Sequence, residues 1–219
     1  MLTAATHGYR GMAEYFSGIR ALFEVVGVRF AIAEYGTRLA PVAGNELFSN
    51  ANSYLLSDDS SYPYYLWLPT WLGRFYVDPG RVPPGVAIDD CRIADARLLA
   101  FVWPWLGFND AFVADAPAPE CWFGVADPAP DDGDQPVRQT AESIFNYFRI
   151  ERTCEGESDG WFTGNFERNE IGCSLGGSWH LRRVPLAELT SYYEVEQSLI
   201  RPLGEKFSAL ASADPALRE

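Results

Sequence analysis

The chain has 219 residues, 47% of them hydrophobic and 15% aromatic, with 30 acidic and 17 basic residues and a formal net charge of −13. Disordered chains lack this much apolar area, and a negative field of this size repels nucleic acid and anionic membranes. We therefore expect a single domain over residues 1–219 that contacts neither nucleic acid nor a membrane.

The first half of the chain predicts a helix followed by short strands. Residues 10–26 place apolar side chains at helical spacing, and Gly27 is expected to end that helix. Apolar and other residues alternate over 28–36, which predicts a strand, and residues 37–61 are rich in the turn-forming residues Asn, Ser, Asp and Gly. Further strands are expected where short apolar runs end at Pro, Gly or Asp: Tyr64–Leu68, Arg74–Val77, Leu98–Trp103 (ending before Pro104) and Cys121–Ala126.

The second half predicts helices around a glycine-rich meander. Residues 126–136, ADPAPDDGDQP, are expected to form an exposed acidic loop, and a helix should follow Pro136 up to about Arg149. Glycines over 156–177 favour a hairpin or meander. Residues 185–211 place apolar side chains at helical spacing, and Pro202 is expected to kink or divide that helix. The predicted fold class is α+β, a central antiparallel sheet with an N-terminal helix and C-terminal helices packed on it.

No pattern in the sequence indicates catalysis, a metal site or a cofactor. Cysteines at 91, 121, 154 and 173 lack a Cys-x-x-Cys pair or a zinc-type histidine spacing, so free thiols are expected, with a disulfide between Cys154 and Cys173 left open. His180, seven residues after Cys173, is interpreted as structural or surface-exposed because no nucleophile motif surrounds it. The aspartate pairs do not match a calcium loop and are interpreted as solvated turns.

The distribution of charge is more informative than these motifs. No basic residue lies between Arg97 and Arg138. A second span without basic residues runs from Leu39 to Gly73 and leads into the aromatic stretch YPYYLWLPTWLGRFYVDP at 62–79. Acidic groups interleaved with aromatic side chains suit a protein that covers the cationic cleft of another protein. The predicted partner-binding residues are Trp71, Trp105, Asp110, Asp127, Asp131, Asp132 and Asp134.

The alternative interpretation of the same stretches is an acidic solvated rim over an aromatic core, since aromatic side chains at strand spacing usually point inward. Within the 62–79 stretch, Tyr65, Trp67 and Phe75 are expected in the core, whereas Trp71, in a connecting turn, is expected to be exposed.

Three segments carry a resemblance to a known family: YYLWLPTWLGRFYVD at 64–78, RLLAFVWPWLGF at 97–108 and SWHLRRVPLAEL at 178–189. The acidic chain that contains them resembles bacterial immunity proteins that neutralise restriction-endonuclease-like nuclease toxins of type VI secretion. The resemblance implies a cytoplasmic, non-catalytic protein that binds a basic cognate toxin and blocks its nuclease site or its assembly. No secretory signal or bilayer-length apolar run is apparent, in agreement with a cytoplasmic location.

Two other classes of function stay open. One is a small cytoplasmic hydrolase that uses Asp residues with His180 or with the Arg182 and Arg183 pair; a deep pocket with a strongly perturbed titratable group would indicate it. The other is an adaptor domain that forms a homodimer through the aromatic stretch.

Overall fold

The computed structural model describes residues 2–44, 48–49, 72–105, 118–130, 134–150, 157–167 and 175–213. The helices are α1 (Leu2–Ala31), α2 (Ile93–Ala96), α3 (Val137–Ile150), α4 (Tyr192–Val195), a π-helical turn (Glu196–Ile200) and α5 (Arg201–Ala213). The strands are β1 (Ala40–Pro41), β2 (Phe48–Ser49), β3 (Leu72–Val77), β4 (Leu99–Trp105), β5 (Glu120–Pro130), β6 (Glu157–Ser158), β7 (Trp161–Asn165) and β8 (Leu175–Pro185).

These strands form one antiparallel sheet with the order β1–β3–β4–β5–β8–β7–β6, and β2 also pairs with β3. One face of the sheet packs on α3, and the opposite face packs on α1 and the C-terminal helices. The predicted α+β class, with an antiparallel sheet and helices from both ends of the chain, is confirmed.

Strand β4 is buried over its whole length because both faces of the sheet are covered. Phe101 and Trp103 face α3, while Ala100 and Val102 point to the opposite face, toward α1 and α5. A strand covered on both sides is apolar without interruption, which explains the run LAFVWPW.

Three glycines in the sheet make room for aromatic rings on neighbouring strands. An ideal Cβ on Gly73 would lie 2.3 Å from Cδ1 of Trp103, and one on Gly164 would lie 2.3 Å from Cζ2 of Trp179. Gly124 lies directly opposite Phe101, whose Cζ would be 2.6 Å from such a Cβ. The rings thus lie flat across glycine backbone, so much of the aromatic content belongs to the core.

Helix α1 is longer than predicted, and the strand predicted over 28–36 is wrong. The helix passes through Gly27 and ends at Ala31. Phe30 continues the buried helical spacing of Phe23 and Val26, whereas Val28 and Ile32, which suggested alternation, are 65% and 58% exposed.

Strands β4 and β5 also extend beyond their predicted ends. β4 includes Pro104, and β5 continues to Pro130, so the first half of the acidic loop predicted at 126–136 is strand. Beyond Ala126 the register pairs β5 with β8 but no longer with β4. A strand with one free side tolerates prolines, which cannot donate a ladder hydrogen bond.

Among the remaining predictions for the second half of the chain, some are confirmed and the start of the C-terminal helix is wrong. Helix α3 and a hairpin within the glycine-rich segment, formed by β6 and β7, are confirmed. The C-terminal helix does not begin at Pro185, because residues 186–188 form a 3-10 turn and α4 follows an N-cap at Ser191. Helical backbone continues from Tyr192 to Ala213 and changes from the π-helical turn to α5 at Arg201, next to Pro202; the predicted kink or division there stays a prediction.

Candidate partner-binding surfaces

The structure describes three of the seven predicted partner-binding residues: Trp105, Asp127 and Asp134. The other four, Trp71, Asp110, Asp131 and Asp132, lie outside the described residues, as do Tyr65, Trp67, Cys154 and Cys173. Phe75 is fully buried, which confirms its predicted place in the core.

The prediction that Trp105 contacts a partner is wrong, because its side chain is only 4% exposed. Its ring packs edge-on against Trp122 with 5.4 Å between centroids. Nε1 of Trp122 donates a 2.8 Å hydrogen bond to Glu120 Oε2, and the guanidinium of Arg183 lies 5.7 Å from the centre of the same ring. Trp105 therefore belongs to a structural cluster in the sheet.

Trp105 also lies far from the described aspartates. It pairs with Glu120 at the start of β5, and Asp127 follows seven residues later in the same strand. At the usual rise of a strand this places the two ends about 23 Å apart. The predicted acidic and aromatic residues thus do not form one patch among the described residues.

Asp127 and Asp134 do come together, at a cleft of about 460 Å³ that Arg97 and Gly177 also line. Both aspartates are exposed. Asp134 has a structural role as well, because its carboxylate accepts a 3.0 Å hydrogen bond from the Ala94 amide. We call this site the acidic cleft; it brings two of the predicted residues together, with the cationic Arg97 also in its lining, and their contact with a partner stays a prediction.

Backbone strain marks the wall of the acidic cleft. Arg97 has φ +61° and ψ −68°, and the amide of Leu98 donates a 2.8 Å hydrogen bond to the Ala96 carbonyl, which makes a γ-turn of the rare, strained hand. Strained conformations of this kind recur at functional sites, where the surrounding structure holds them in place.

A second cleft, not predicted, lies between α1 and residues 186–195. This α1 groove has a volume of about 420 Å³, and its floor and walls are largely apolar: Tyr15, Ile19, Leu22, Val25, Leu186, Leu189 and Val195. Beside it, Tyr192 and Tyr193 are 53% and 70% exposed. The hydroxyl of Tyr15 is buried and has no hydrogen-bond partner among the described residues, and burial raises its pKa, so it stays protonated.

Three carboxylates lie in the lining of the α1 groove or next to it in the chain, and together they are called its rim: Glu14 lines the groove, and Glu188 and Glu194 precede the lining residues Leu189 and Val195. Glu14 is exposed at one end, and Glu188 is exposed next to Leu189. Glu194 accepts a 2.7 Å hydrogen bond from the Thr190 hydroxyl, which lowers the pKa of its carboxyl group. The rim is therefore negatively charged at neutral pH.

His180 does not form the acid–base pair that a hydrolase would need within the described residues. Burial and the neighbouring ammonium of Lys206 lower its pKa, and its Nδ1 is buried without a hydrogen-bond partner there. The Lys206 ammonium lies 5.2 Å from the centre of the Trp161 ring. Cys91 and Cys121 are buried free thiols whose pKa values burial raises. No cluster of three or more metal-ligating side chains occurs in the described part of the chain.

Comparison of the chain with known protein families, curated proteins and solved structures found no match. Among the described residues, α1 has the length to cross a bilayer, but no helix combines that length with the necessary hydropathy.

Proposed function

We propose that this chain is a non-catalytic immunity protein of the cytoplasm, which binds a basic cognate toxin, a nuclease, and neutralises it. The observation that carries the proposal is the charge of the exposed surface, where carboxylates outnumber arginines two to one in the described residues. The exposed carboxylates are Glu14, Glu24, Glu34, Asp90, Asp95, Asp127, Asp134, Glu142, Asp159, Glu167, Glu188 and Glu205; the exposed arginines are Arg20, Arg38, Arg92, Arg138, Arg183 and Arg201.

Charge complementarity gives this surface its selectivity. A nuclease holds its substrate phosphates with cationic groups, so an acidic protein is attracted to that site while nucleic acid repels it. Long-range attraction accelerates encounter, and the final affinity depends on a few buried contacts at the centre of the interface. The chain needs no catalytic group for this role, because occupying the site or preventing the toxin from assembling is sufficient.

The acidic cleft is the proposed point of contact with cationic side chains of the toxin. Asp127 and Asp134 stand at its edge, and the strained turn at Arg97 fixes one wall. Arg or Lys side chains of the partner would lie against the two carboxylates, where partial burial strengthens each hydrogen bond relative to open water.

The proposal is tested by co-purification with the toxin encoded next to this chain and by a nuclease assay with the purified pair. We expect a stable complex, inhibition at equimolar chain, and slower association when the salt concentration rises from about 50 to about 500 mM, where charges are screened within a few ångströms. Failure to bind the neighbouring toxin or to inhibit its nuclease activity would refute the proposal.

A matched pair of variants locates the contact. Asp127→Asn removes one charge at the acidic cleft, and Asp159→Asn removes one at the exposed turn between β6 and β7. If the cleft contacts the toxin, Asp127→Asn weakens binding by about tenfold, and Asp159→Asn changes it by less than about twofold. Equal effects of the two variants would mean that only net charge matters.

A further inference from the structure

We propose that the α1 groove binds an amphipathic helix of a partner protein, one with an apolar face flanked by Lys or Arg side chains. The proposal takes the cationic nature of the partner from the proposed function, but the groove itself carries the argument for a helix.

A second apolar stripe on α1, which borders the core stripe at the half-buried Val25, indicates that the occupant is helical. Its members in the helix, spaced alternately by three and four residues, are Gly18, Ala21, Val25 and Val28, and Ile32 follows in the turn just beyond the end of α1. This is the spacing at which one helix packs against another at a shallow crossing angle. The core stripe of α1, which includes Ile19, Leu22 and Val26, is already covered by the sheet and the C-terminal helices.

The stripe is open and able to receive another backbone. Gly18, Ala21 and Val25 all line the α1 groove, and an ideal Cβ on Gly18 would meet nothing within 4 Å. Farther along the chain Val28 is 65% exposed and Ile32 is 58% exposed. The small, exposed residues Gly18 and Ala21 leave room for the backbone of a partner helix to approach closely, and the apolar residues beside them can bury its anchor side chains.

The negative charge of the rim determines which partner helix the groove attracts. Glu14 lines the groove, Glu188 and Glu194 directly precede its lining residues Leu189 and Val195 in the chain, and none of the residues that the structure describes in its lining is basic. Two described arginines of α1 already have acidic partners: Arg20 is paired with Glu24, and Arg29 is paired with Glu34 and Glu196. Lys or Arg side chains on the flanks of the incoming helix would meet these carboxylates, whereas an acidic helix would be repelled.

The same charges disfavour a second copy of this chain as the occupant. A symmetric dimer through the groove would bring two acidic rims together, on chains that each carry a net charge of −13. Like charges facing each other across an interface cost several kcal/mol. A basic partner relieves this repulsion.

The test uses the full chain and three labelled synthetic peptides of 21 residues. The first has Leu at alternate three- and four-residue spacing with Lys on the flanks; the second has the same residues in an order that forms no apolar face; the third has Glu in place of Lys. Binding is measured by fluorescence anisotropy at low and high salt. We expect the first peptide to bind and the other two to bind at least about tenfold more weakly.

Two alanine variants assign the binding to the groove. Ala21→Arg places a bulky cation in the groove, and Ala209→Arg makes the same charge change on the exposed side of α5. Ala21→Arg should weaken binding of the first peptide by at least about tenfold and Ala209→Arg by less than about twofold, with circular dichroism confirming that both variants fold.

Three results would overturn the inference: equal binding of the ordered and scrambled peptides, no difference between the two variants, or a dimer in sedimentation that Ala21→Arg dissociates. The last would assign the groove to a second copy of the chain. A chain that binds the ordered peptide in the groove yet neither binds nor inhibits the neighbouring toxin would refute the proposed function alone. A chain that inhibits the neighbouring toxin but does not bind the ordered peptide in the groove would refute the inference about the groove alone.

Discussion

The close approach of Gly73 on β3 to the indole of Trp103 on β4 predicts a cost for adding a single methyl group. In Gly73→Ala the new Cβ would lie 2.3 Å from Cδ1 and 2.6 Å from Nε1 of Trp103, where ordinary contacts begin near 3.4 Å. The ring would have to move by about 1 Å. It has little freedom to do so, because it is fully buried and stacks on Phe101 at 4.2 Å between centroids, with Phe145 at its edge.

The magnitude follows from two opposing effects. Overpacking of a dense core typically costs about 1–3 kcal/mol, and replacing glycine stabilises by about 0.4–1 kcal/mol through the lower entropy of the unfolded chain. The net loss in the free energy of unfolding is about 1.5 kcal/mol. With an m-value of about 2.5 kcal/mol/M, the midpoint of urea unfolding, followed by tryptophan fluorescence, falls by about 0.6 M.

Two further variants distinguish this contact from a general effect of alanine. Gly27→Ala in α1, where an added Cβ would meet nothing within 4 Å, should stabilise the protein by about 0.5–1 kcal/mol. In a Trp103→Leu background, which vacates the space, the cost of Gly73→Ala should shrink by about 1 kcal/mol. The reasoning is refuted if Gly73→Ala is as stable as the parent, or if its cost is the same in both backgrounds.

Three other predictions concern ionisable groups and a helix cap. The pKa of His180 is lowered in the folded state, so the unfolded chain binds more protons; stability that is fully present above pH 6.5 is lost as the pH falls below that value through the lowered pKa, and His180→Gln should flatten that slope in urea titrations. Arg29→Met leaves the carboxylate of Glu196, which is 8% exposed, without its 3.0 Å partner, and should lower the thermal midpoint more than Arg20→Met, whose own pair is on the surface. A decrease in the thermal midpoint that is smaller for Arg29→Met than for Arg20→Met would contradict this. Ser191→Ala removes the N-cap of α4 and should cost about 1 kcal/mol in urea unfolding; Ser191→Asn, which keeps a capping acceptor, should restore most of it.

Periodicity in the sequence predicts the sheet and most of the helices because each element repeats a local pattern. It fails at the end of α1, where Val28, Phe30 and Ile32 alternate like strand residues although Val28 and Phe30 are in the helix and Ile32 is in the turn that follows it. The four-residue spacing from Val26 to Phe30 was the signal for a longer helix. In a helix extended through Phe30, Val28 lies away from the face that packs on the core.

The sites were harder to predict than the elements. Trp105 ends an uninterrupted apolar run, which is the pattern of a strand covered on both faces, so the run itself was the signal that Trp105 is buried. The α1 groove depends on the meeting of α1 with residues 186–195, which are distant in the chain, so no local pattern contains it. Asp127 and Asp134 were predicted by the absence of basic residues around them, because charge excess is a property of composition and does not depend on packing.

The order of strands has a consequence for how the chain folds. β3, β4 and β5 pair in sequence, as do β6, β7 and β8, so each half of the sheet closes through connections shorter than the segment 131–174 that separates β5 from β8. The two halves meet only where β5 pairs with β8, and Ala126 there faces Trp179 across about fifty residues of chain, a separation whose closure entropy slows folding. We expect this long ladder to form last and to set the folding rate. Until it forms, neither apolar face of the sheet is complete, which makes the half-formed sheet the state most exposed to aggregation.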